Sequence, residues 1–544
     1  MPTYKTPGVY VEEIPKLPPS VAEVSTAVPA FIGYTEKAPP GAIARLTTLL
    51  EYRDLFGGPR KATFTVTTHA DDSLTIARDT SGPPFLLYYA MSHYFKNGGG
   101  PCWVVSAGDY GTAALDKTAL ENALGRVEQE DEPTLLVQTD AVGLGAGDYY
   151  SLCDAALQQC HKLGDRFAIF DVKKDAQTGK TDAEVLRNGI GTQYLSYGAA
   201  YTPYLQTLLA YEYEESGVNI LPAPPWTKEI APNAIKVKYT GTGTAPSVRV
   251  VQSTEEAPLG FGAAGETLTI TLPADAEGAA VATTGQEIAT AFATWKGTQN
   301  PRGFDVLAAG TGAAAVPPGT TAVVAGRTLA SIADSDTALY NRIKARLKEE
   351  RVVLPPSAAV AGVYAAVDRD RGVWKAPANV SLTAVVEPVA KITGEEQDGL
   401  NVDPTAGKSI NAIRAFNGKG TLVWGARTLA GNDNEWRYVP VRRLFLMIEE
   451  SAKKATGFAV FEPNDMTTWL KVKGMIESFL YGLWERGALA GPTPASAYFV
   501  NVGLGKTMTT QDILEGRLIV EIGVAAVRPA EFIILRFSHK LQEA

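Results

Sequence analysis

The chain has 544 residues, of which 45% are hydrophobic and 20% charged, and its formal net charge is −9. This length allows roughly three or four domains with buried cores, and the acidic balance argues against a protein that wraps nucleic acid. Three cysteines are too few for a disulfide framework, and no window reaches the roughly 20 apolar residues of a membrane helix. We expect a soluble protein made in the cytoplasm, without a nucleic-acid partner or direct membrane insertion.

The first predicted element is a short strand bounded by prolines. Residues 8–14 (GVYVEEI) follow one proline and precede three others. The strand period puts Val9 and Val11 on one face and Tyr10 and Ile14 on the other. Because the prolines keep the following link extended, a tight hairpin with the next segment is not expected. The strand must pair with a sheet of its own chain or of a neighbouring chain.

Residues 133–172 are predicted to form a βαβ unit. Residues 133–138 and 166–172 have the pattern of buried strands, and 147–163 that of an amphipathic helix. The two strands should be parallel. Asp171 ends the second strand, where α/β enzymes often hold a catalytic carboxylate. No histidine or second acidic residue recurs nearby, so a solvated or helix-capping aspartate is the simpler interpretation.

The composition changes to Ala, Gly and Thr over residues 232–330, which predicts a separate β-rich domain inserted into its host. Thr284 and Glu287 have the spacing of a capping box at the start of a helix. Three stretches alternate apolar and polar residues at the strand period. They are residues 235–239, 247–251 and 267–272.

The last third of the chain predicts a long helix from about Asp465, followed by strands at 517–529 and 531–539. The final strand is set off by a proline, as the first strand is. Its apolar face comprises Ile533, Leu535 and Phe537. If both terminal strands dock on neighbouring subunits, the contact is heterologous and builds a ring or an open helix. Closure of both strands on sheets of their own chain stays an open alternative.

Three patterns suggest a ligand site but lack a required feature. Residues 403–409 (DPTAGKS) and 501–507 (NVGLGKT) resemble phosphate-binding loops, but valines occupy the position of the first glycine. Cys153 and Cys160 share one helix face, whereas His161 points about 100° away. A structural zinc site requires four ligands that converge on one metal ion. We predict core cysteines, no metal and no nucleotide or other cofactor.

Four stretches of the sequence resemble contractile tail sheath proteins. They are PGVYVEE near the start, AVPAFIGYTEKAP at 27–39, LPPSAAVAGVYAAVDRDRGVWKAPAN at 354–379, and 400–489 with its GARTL and VFEPN words. The family includes the sheath subunits of contractile phage tails, R-type pyocins, extracellular contractile injection systems and type VI secretion. The likeness extends over the first 40 residues and beyond about residue 336; it is loose over 40–230 and nearly absent over 232–330.

The resemblance implies an α/β (α+β) multidomain fold with two extended strand arms. A C-terminal α/β sheath core domain adjoins an α/β middle domain, which carries the small β-rich insertion. The expected divisions are an N-terminal arm at 1–22, a middle domain at 23–231 and 331–385, an outward-facing insertion at 232–330, a C-terminal domain at 386–528 and a C-terminal arm at 529–544.

The resemblance also implies a structural protein and not an enzyme. Subunits are expected to stack as hexameric rings around an inner tube, to store energy in a metastable extended lattice, and to contract so that the tube crosses a target envelope. The expected partners are further copies of the chain, the inner tube protein, and baseplate and terminal cap proteins. The expected place is a phage tail or phage-like injection particle, assembled in the bacterial cytoplasm.

Two sets of residues follow from the resemblance. The strand-exchange residues are Val9, Tyr10, Val11, Ile14, Phe532, Ile533, Ile534, Leu535 and Phe537. The tube-facing residues are Lys453, Lys454, Lys471 and Lys473, for which a solvated helix face is the alternative. Two other functions stay open: an α/β enzyme centred on Asp171, and a non-contractile tail tube or baseplate component. The sequence leaves the choice between a phage and an injection particle open.

Overall fold

The computed structural model describes residues 21–535, apart from residues 40, 70, 113, 175–178, 223–225, 242–245 and 324–326. Its contacts divide the chain into two compact units. One unit comprises the described parts of 1–59, 83–209 and 352–544, and the other those of 60–82 and 210–351. Helices and strands occur throughout, which confirms the predicted mixed α/β class. None of the described helices is long and apolar enough to cross a bilayer.

The strands and helices are numbered separately in chain order. The strands are β1 (Pro29–Thr35), β2 (Ile43–Leu46), β3 (Phe64–Thr68), β4 (Leu74–Arg78), β5 (Cys102–Asp109), β6 (Leu135–Val137), β7 (Phe167–Asp171), β8 (Gly198–Thr202), β9 (Leu205–Ala210), β10 (Val218–Pro222), β11 (Trp226–Glu229), β12 (Ile235–Tyr239), β13 (Ser247–Gln252), β14 (Gly260–Ala264), β15 (Thr267–Leu272), β16 (Phe304–Ala308), β17 (Gly319–Ala322), β18 (Arg327–Thr328), β19 (Arg351–Leu354), β20 (Val380–Ser381), β21 (Val385–Pro388), β22 (Ile410–Phe416), β23 (Gly420–Val423), β24 (Tyr498–Val502) and β25 (Val520–Val524). The α-helices are α1 (Leu49–Phe56), α2 (Leu87–Lys96), α3 (Lys117–Val127), α4 (Ala146–Leu163), α5 (Asp182–Gly189), α6 (Gly285–Lys296), α7 (Leu329–Ile332), α8 (Thr337–Leu347), α9 (Ser357–Arg371), α10 (Gly394–Asn401), α11 (Val439–Ala455), α12 (Met466–Glu485), α13 (Pro494–Ala497) and α14 (Thr510–Leu514).

The first unit contains a nine-stranded sheet in the order β2-β5-β1-β6-β7-β8-β22-β23-β20. Neighbouring strands from β5 to β22 are parallel, and antiparallel strands follow at both ends. Strands β1, β6 and β7 are buried along their whole length, and helices α2, α3, α4 and α9 contact them. Continuous burial of this kind is expected for parallel strands covered by helices.

The predicted βαβ unit is confirmed. The predicted strands are β6 and β7, which run parallel with Leu135 opposite Phe167, and the predicted helix is α4. The same sheet crosses the expected division between residues 385 and 386, because β22 pairs in parallel with β8 and Ile410 lies opposite Ala200. Parallel pairing between segments so far apart leaves no local pattern in the sequence.

A second core in the first unit joins α11, α12, β24 and β25. The helix predicted from Asp465 is α12, and the Asp465 side chain accepts from the N–H of Thr468 at 3.0 Å. Four apolar side chains spaced at the helical period on α12 are fully buried: Val472, Ile476, Leu480 and Leu483. The strand predicted at 517–529 is the shorter β25.

The second unit contains most of the β-rich part of the chain. Three sheets have the orders β18-β10-β3-β4, β11-β12-β16 and β14-β15-β13-β17. The strands predicted at 235–239, 247–251 and 267–272 are β12, β13 and β15, and the capping box at Thr284 and Glu287 starts α6. The unit also takes in the β3–β4 hairpin at 60–82, because β3 pairs in parallel with β10. The division at 232 and 330 stays a prediction.

Candidate assembly site

A small sheet near the C-terminal end of the first unit has open edges. Strands β24 and β25 are antiparallel, with Val500 opposite Ile522. The sheet packs on α11 and α12 through a core that includes Val500, Leu444 and Leu480. Within the described residues each strand pairs only with the other, so the outer edge of each has no strand partner. Because two strands alone are only marginally stable in water, this sheet depends on that packing and on any strand that completes its edges.

An apolar groove of about 760 Å³ lies beside β25. Its lining includes Val520 and Ile522 of β25 together with Val460 and Phe461 of the loop between α11 and α12. The Phe461 side chain is fully exposed, at 103% of its reference surface, and its backbone φ is 67°. A left-handed backbone is unfavourable for phenylalanine. An exposed apolar surface beside an open sheet edge is typical of a protein-binding site.

The described chain ends in an exposed apolar run. Phe532, Ile533, Ile534 and Leu535 are between 70% and 80% exposed and belong to no strand. The strand predicted at 531–539 is therefore not formed in residues 531–535 of the single chain, because a strand needs a neighbour to take its N–H and C=O groups. The other predicted strand-exchange residues lie outside the described residues: Val9, Tyr10, Val11, Ile14 and Phe537.

An ion pair holds the chain just before this exposed run. Arg427 donates to Glu531 from Nε at 2.9 Å and from Nη2 at 2.6 Å. The side chains of Arg427 and Glu531 are 5% and 20% exposed. The hydroxyl of Tyr438 donates to the same carboxylate at 3.2 Å. Burial and the charge of Glu531 raise the pKa of Tyr438, so its hydroxyl keeps the proton that it donates.

A second buried ion pair holds the beginning of the described chain. Arg443 donates to Asp368 at 3.0 and 2.5 Å, and both side chains are almost fully buried. Thr26 donates from its hydroxyl to Asp368 at 2.5 Å, and its carbonyl accepts from Arg443 at 2.8 Å. The N–H of Val24 donates to Ser451 at 3.1 Å. Residues 24–26 are thereby tied to α9 and α11.

The four lysines predicted to face a tube lie on two helices. Lys453 and Lys454, in the last turn of α11, both pair with Glu450, at 3.2 and 3.3 Å. Lys473 of α12 pairs with an acidic residue of its own helix at 3.4 Å, and Lys471 is exposed. Lys453 also lines the groove beside β25. Because Glu449 and Glu450 precede the two lysines, the last two turns of α11 carry two acidic and two basic side chains.

Asp171, the centre of the enzyme alternative, is buried in the first unit. Its carboxylate accepts from the N–H of Ser357 at 2.7 Å and from the Ser357 hydroxyl at 2.6 Å, at the start of α9. Burial raises the pKa of Asp171 to about 7, although these two hydrogen bonds act in the opposite direction. The interpretation as a helix-capping aspartate fits this geometry, whereas the solvated alternative is wrong.

The patterns that suggested ligand sites have structural roles. Lys408 of the DPTAGKS stretch is 3% exposed and donates from Nζ to the carbonyls of Arg187 and Ile190, at 2.7 and 2.6 Å. It therefore stabilises the C-terminal end of α5. Cys153 and Cys160 are fully buried. In the part of the chain that the structure describes, no three His, Cys, Asp or Glu side chains are grouped to hold a metal ion.

Comparisons with known proteins point to one family. Residues 431–540 match the model of the phage tail sheath C-terminal domain. The chain is 22% identical over 188 residues to the tail sheath protein of Vibrio phage KVP40. It is 27% identical over 138 residues to a prophage major tail sheath protein of Pseudomonas aeruginosa strain UCBPP-PA14. These alignments cover 34% and 25% of this chain and only 26% and 34% of the two relatives.

Solved structures match over the whole length. The chain is 28% identical to the PVC sheath of an extracellular contractile injection system in its contracted state, with a TM-score of 0.54 and 99% of both chains covered. It is also 28% identical to a chain of the anti-feeding prophage (AFP) baseplate, with a TM-score of 0.55 and coverage of 99% and 100%. The fold is therefore that of a structural sheath subunit. The resemblance to tail sheath proteins seen in the sequence is confirmed.

Proposed function

We propose that this chain is the contractile sheath subunit of a phage tail or phage-like injection particle. The observation that carries the proposal is the β24–β25 sheet, whose open edges lie beside an apolar groove. Subunits exchange terminal strands at this sheet and form stacked hexameric rings around an inner tube. Contraction then drives the tube through a target envelope.

The exchanged strands are residues 9–14 of one neighbour and 532–537 of another. Each has six residues, which suits β24 and β25 with five residues each. An added strand gains main-chain hydrogen bonds, and its alternate side chains become buried. Ile533 and Leu535 are 80% and 72% exposed in the single chain. Burial of each contributes about 1.5–3 kcal/mol, so the C-terminal strand alone supplies a large part of a stable contact.

The energy for contraction is stored at assembly. The extended lattice is metastable, and its subunit contacts improve when the domains move as rigid bodies while the exchanged strands stay paired. This mechanism needs no nucleotide or other cofactor and no catalytic residue. The insertion at 232–330 faces outward, where an inserted domain leaves the lattice contacts uninterrupted.

The remaining partners are the inner tube protein and the baseplate and terminal cap proteins. The tube contacts the C-terminal domain at Lys453, Lys454, Lys471 and Lys473, which lie in the last turn of α11 and on α12. The full-length likeness to a PVC sheath supports a phage-like injection particle over a phage tail. Assembly takes place in the bacterial cytoplasm.

The test is assembly of the purified full chain, observed by negative-stain electron microscopy. We expect helically striated tubes from the full chain and dispersed particles from a variant that lacks residues 1–20. The substitutions Ile533→Asp and Leu535→Asp should also abolish tubes. Leu50→Asp is the matched control, because Leu50 is 69% exposed on α1, far from the two terminal strands in sequence. Tubes from the truncated variant would contradict the role of the N-terminal strand.

A baseplate component is the second candidate, because the chain also matches a chain of the AFP baseplate. A baseplate protein should form single rings that do not lengthen with concentration, whereas a sheath should form long tubes. The enzyme alternative centred on Asp171 has lost its main support, because that carboxylate is buried against the start of α9.

A further inference from the structure

The two ends of the described chain are fixed by similar groups. The N-terminal anchor comprises Thr26, Asp368 and Arg443, and the C-terminal anchor comprises Arg427, Tyr438 and Glu531. Each contains a buried arginine that binds a carboxylate through two nitrogens. Each lies close to the point where a predicted arm begins.

The N-terminal anchor holds one residue by both its side chain and its backbone. Asp368 accepts from the Thr26 hydroxyl, and Arg443 donates both to that carboxylate and to the Thr26 carbonyl. The side chains of Arg443 and Asp368 are 2% and 6% exposed. Charge-assisted bidentate pairs of this kind have a fixed geometry as well as a favourable energy. A force applied to the residues before Thr26 is therefore resisted by the Arg443–Asp368 pair.

The C-terminal anchor has the same character. Two further hydrogen bonds fix the position of Arg427. Its Nη1 donates to the Asn401 carbonyl at 2.9 Å, and its backbone N–H donates to the Asn411 side chain at 2.8 Å. Its remaining nitrogens bind Glu531. The residues after Glu531 are exposed, beginning with Phe532 at 70%. The C-terminal arm therefore starts at a fixed carboxylate.

Both anchors attach to the same end of one helix. Tyr438, which contacts Glu531, is the N-cap residue of α11 and forms a β-bridge with Arg427. Arg443 lies five residues later on α11, a rise of about 7.5 Å along the helix axis. We infer that the N-terminal half of α11 mechanically joins the roots of the two arms, through the Arg443–Asp368 and Arg427–Glu531 anchors. The inference rests on the proposed function, in which neighbours pull on both arms.

This arrangement places the two anchors in series. Force that enters by the N-terminal arm passes through Thr26 and Arg443 into α11, and leaves through Tyr438 and Glu531 into the C-terminal arm. The nine-stranded sheet supports this path, because Asn411 of β22 accepts from the N–H of Arg427. The four groups are positioning residues, which keep the arms in register while the subunits move.

The test uses two substitutions that spare the buried arginines. Glu531→Gln removes the charge of a carboxylate at the chain end, and Thr26→Val removes the hydroxyl while the Arg443–Asp368 pair stays intact. Glu121→Gln is the control, because Glu121 forms an exposed pair with Lys117 on α3. Glu121→Gln should keep the thermal unfolding midpoint of the unassembled chain, whereas Glu531→Gln and Thr26→Val should lower it slightly because each removes one buried contact. Hydrogen exchange should rise at least tenfold at residues 526–531 for Glu531→Gln and at 23–26 for Thr26→Val.

Assembled sheaths are then contracted in mild denaturant, and the fraction that stays as unbroken cylinders is counted by electron microscopy. Each single variant should lower this fraction severalfold. The double variant should be no worse than the worse single one, because breaking either of two elements in series is enough. Effects that multiply in the double variant would overturn the series arrangement, as would intact cylinders from both single variants.

The exchange measurement also separates this inference from the proposed function. If the wild-type chain forms no tubes but the exchange rises as expected, the anchors stand and the sheath proposal fails. If tubes form while exchange at both chain ends stays at the wild-type rate, the anchors are wrong and the sheath proposal stands.

Discussion

The buried carboxyl of Asp171 predicts a pH dependence of stability that its replacement should remove. The pKa of Asp171 is raised from 3.8 to about 7 in the folded chain, chiefly by burial. A raised pKa means that the folded state binds the proton more tightly than the unfolded state does. The stabilisation is therefore fully present below about pH 4 and is lost as the pH rises to about 7. The difference of about three pH units corresponds to about 4 kcal/mol.

Asp171→Asn cannot titrate but can keep both contacts. Its Oδ1 can accept from the N–H of Ser357, and its Nδ2 can donate to the Ser357 hydroxyl. Relative to wild type, we expect this variant to gain about 4 kcal/mol in the free energy of unfolding between pH 4 and pH 8. Urea denaturation of the unassembled chain across this range measures the gain, with Asp54→Asn on α1 as the control. Wild-type and Asp171→Asn stabilities that change in parallel with pH would refute the reasoning.

Three further predictions concern the lysines, the groove and the sheet edge. Lys408→Met should lower the free energy of unfolding by about 1–3 kcal/mol, because two buried carbonyls lose their donor, whereas Lys506→Met in an exposed turn should leave urea denaturation unchanged. Phe461→Ser should leave the unfolding midpoint unchanged but reduce the yield of tubes seen by electron microscopy; an unchanged yield would contradict the role of the groove. Glu521 is exposed on β25, and Arg536 of the C-terminal strand lies outside the described residues. Because opposite charges stabilise cross-strand pairs, we expect the edge of β25 to bind the C-terminal strand in preference to the N-terminal one. Glu521→Arg should therefore lower the tube yield, and adding Arg536→Glu should restore it.

The elements that the sequence predicted correctly have signals confined to a few neighbouring residues. The alternation over 235–239 and 267–272 is that of β12 and β15, and the spacing of Thr284 and Glu287 marks the start of α6. The apolar face of α12 repeats at the helical period. Such patterns survive in one sequence because the physical cause lies within one or two turns of the chain.

The features that could not be predicted depend on partners that are distant in sequence. The parallel pair of β8 with β22 joins segments of different predicted domains, and the parallel pair of β3 with β10 joins segments about 150 residues apart within one. Arg443 lies 75 residues from Asp368, and Arg427 lies 104 residues from Glu531. The residues that flank each arginine in the sequence do not distinguish a buried arginine from a solvent-exposed one. The sequence did show the apolar character of residues 532–535, but not the ion pair that fixes their starting point.

An open sheet edge can pair with unintended strands and cause aggregation unless features of the edge select the correct partner. Natural sheets restrict edge pairing with short strands and charges, and β25 has five residues with Glu521 at its second position. The first predicted strand contains Glu12 and Glu13, whose negative charges would be repelled by Glu521 at the edge of β25. The edge of β24 is therefore the more favourable binding site for that strand. If each edge accepts a different arm, every contact joins a subunit to two different neighbours. Repeated contacts of that kind do not close on two subunits, and growth continues as a ring or helix. Charge on the two edges would then determine how each subunit connects to its neighbours.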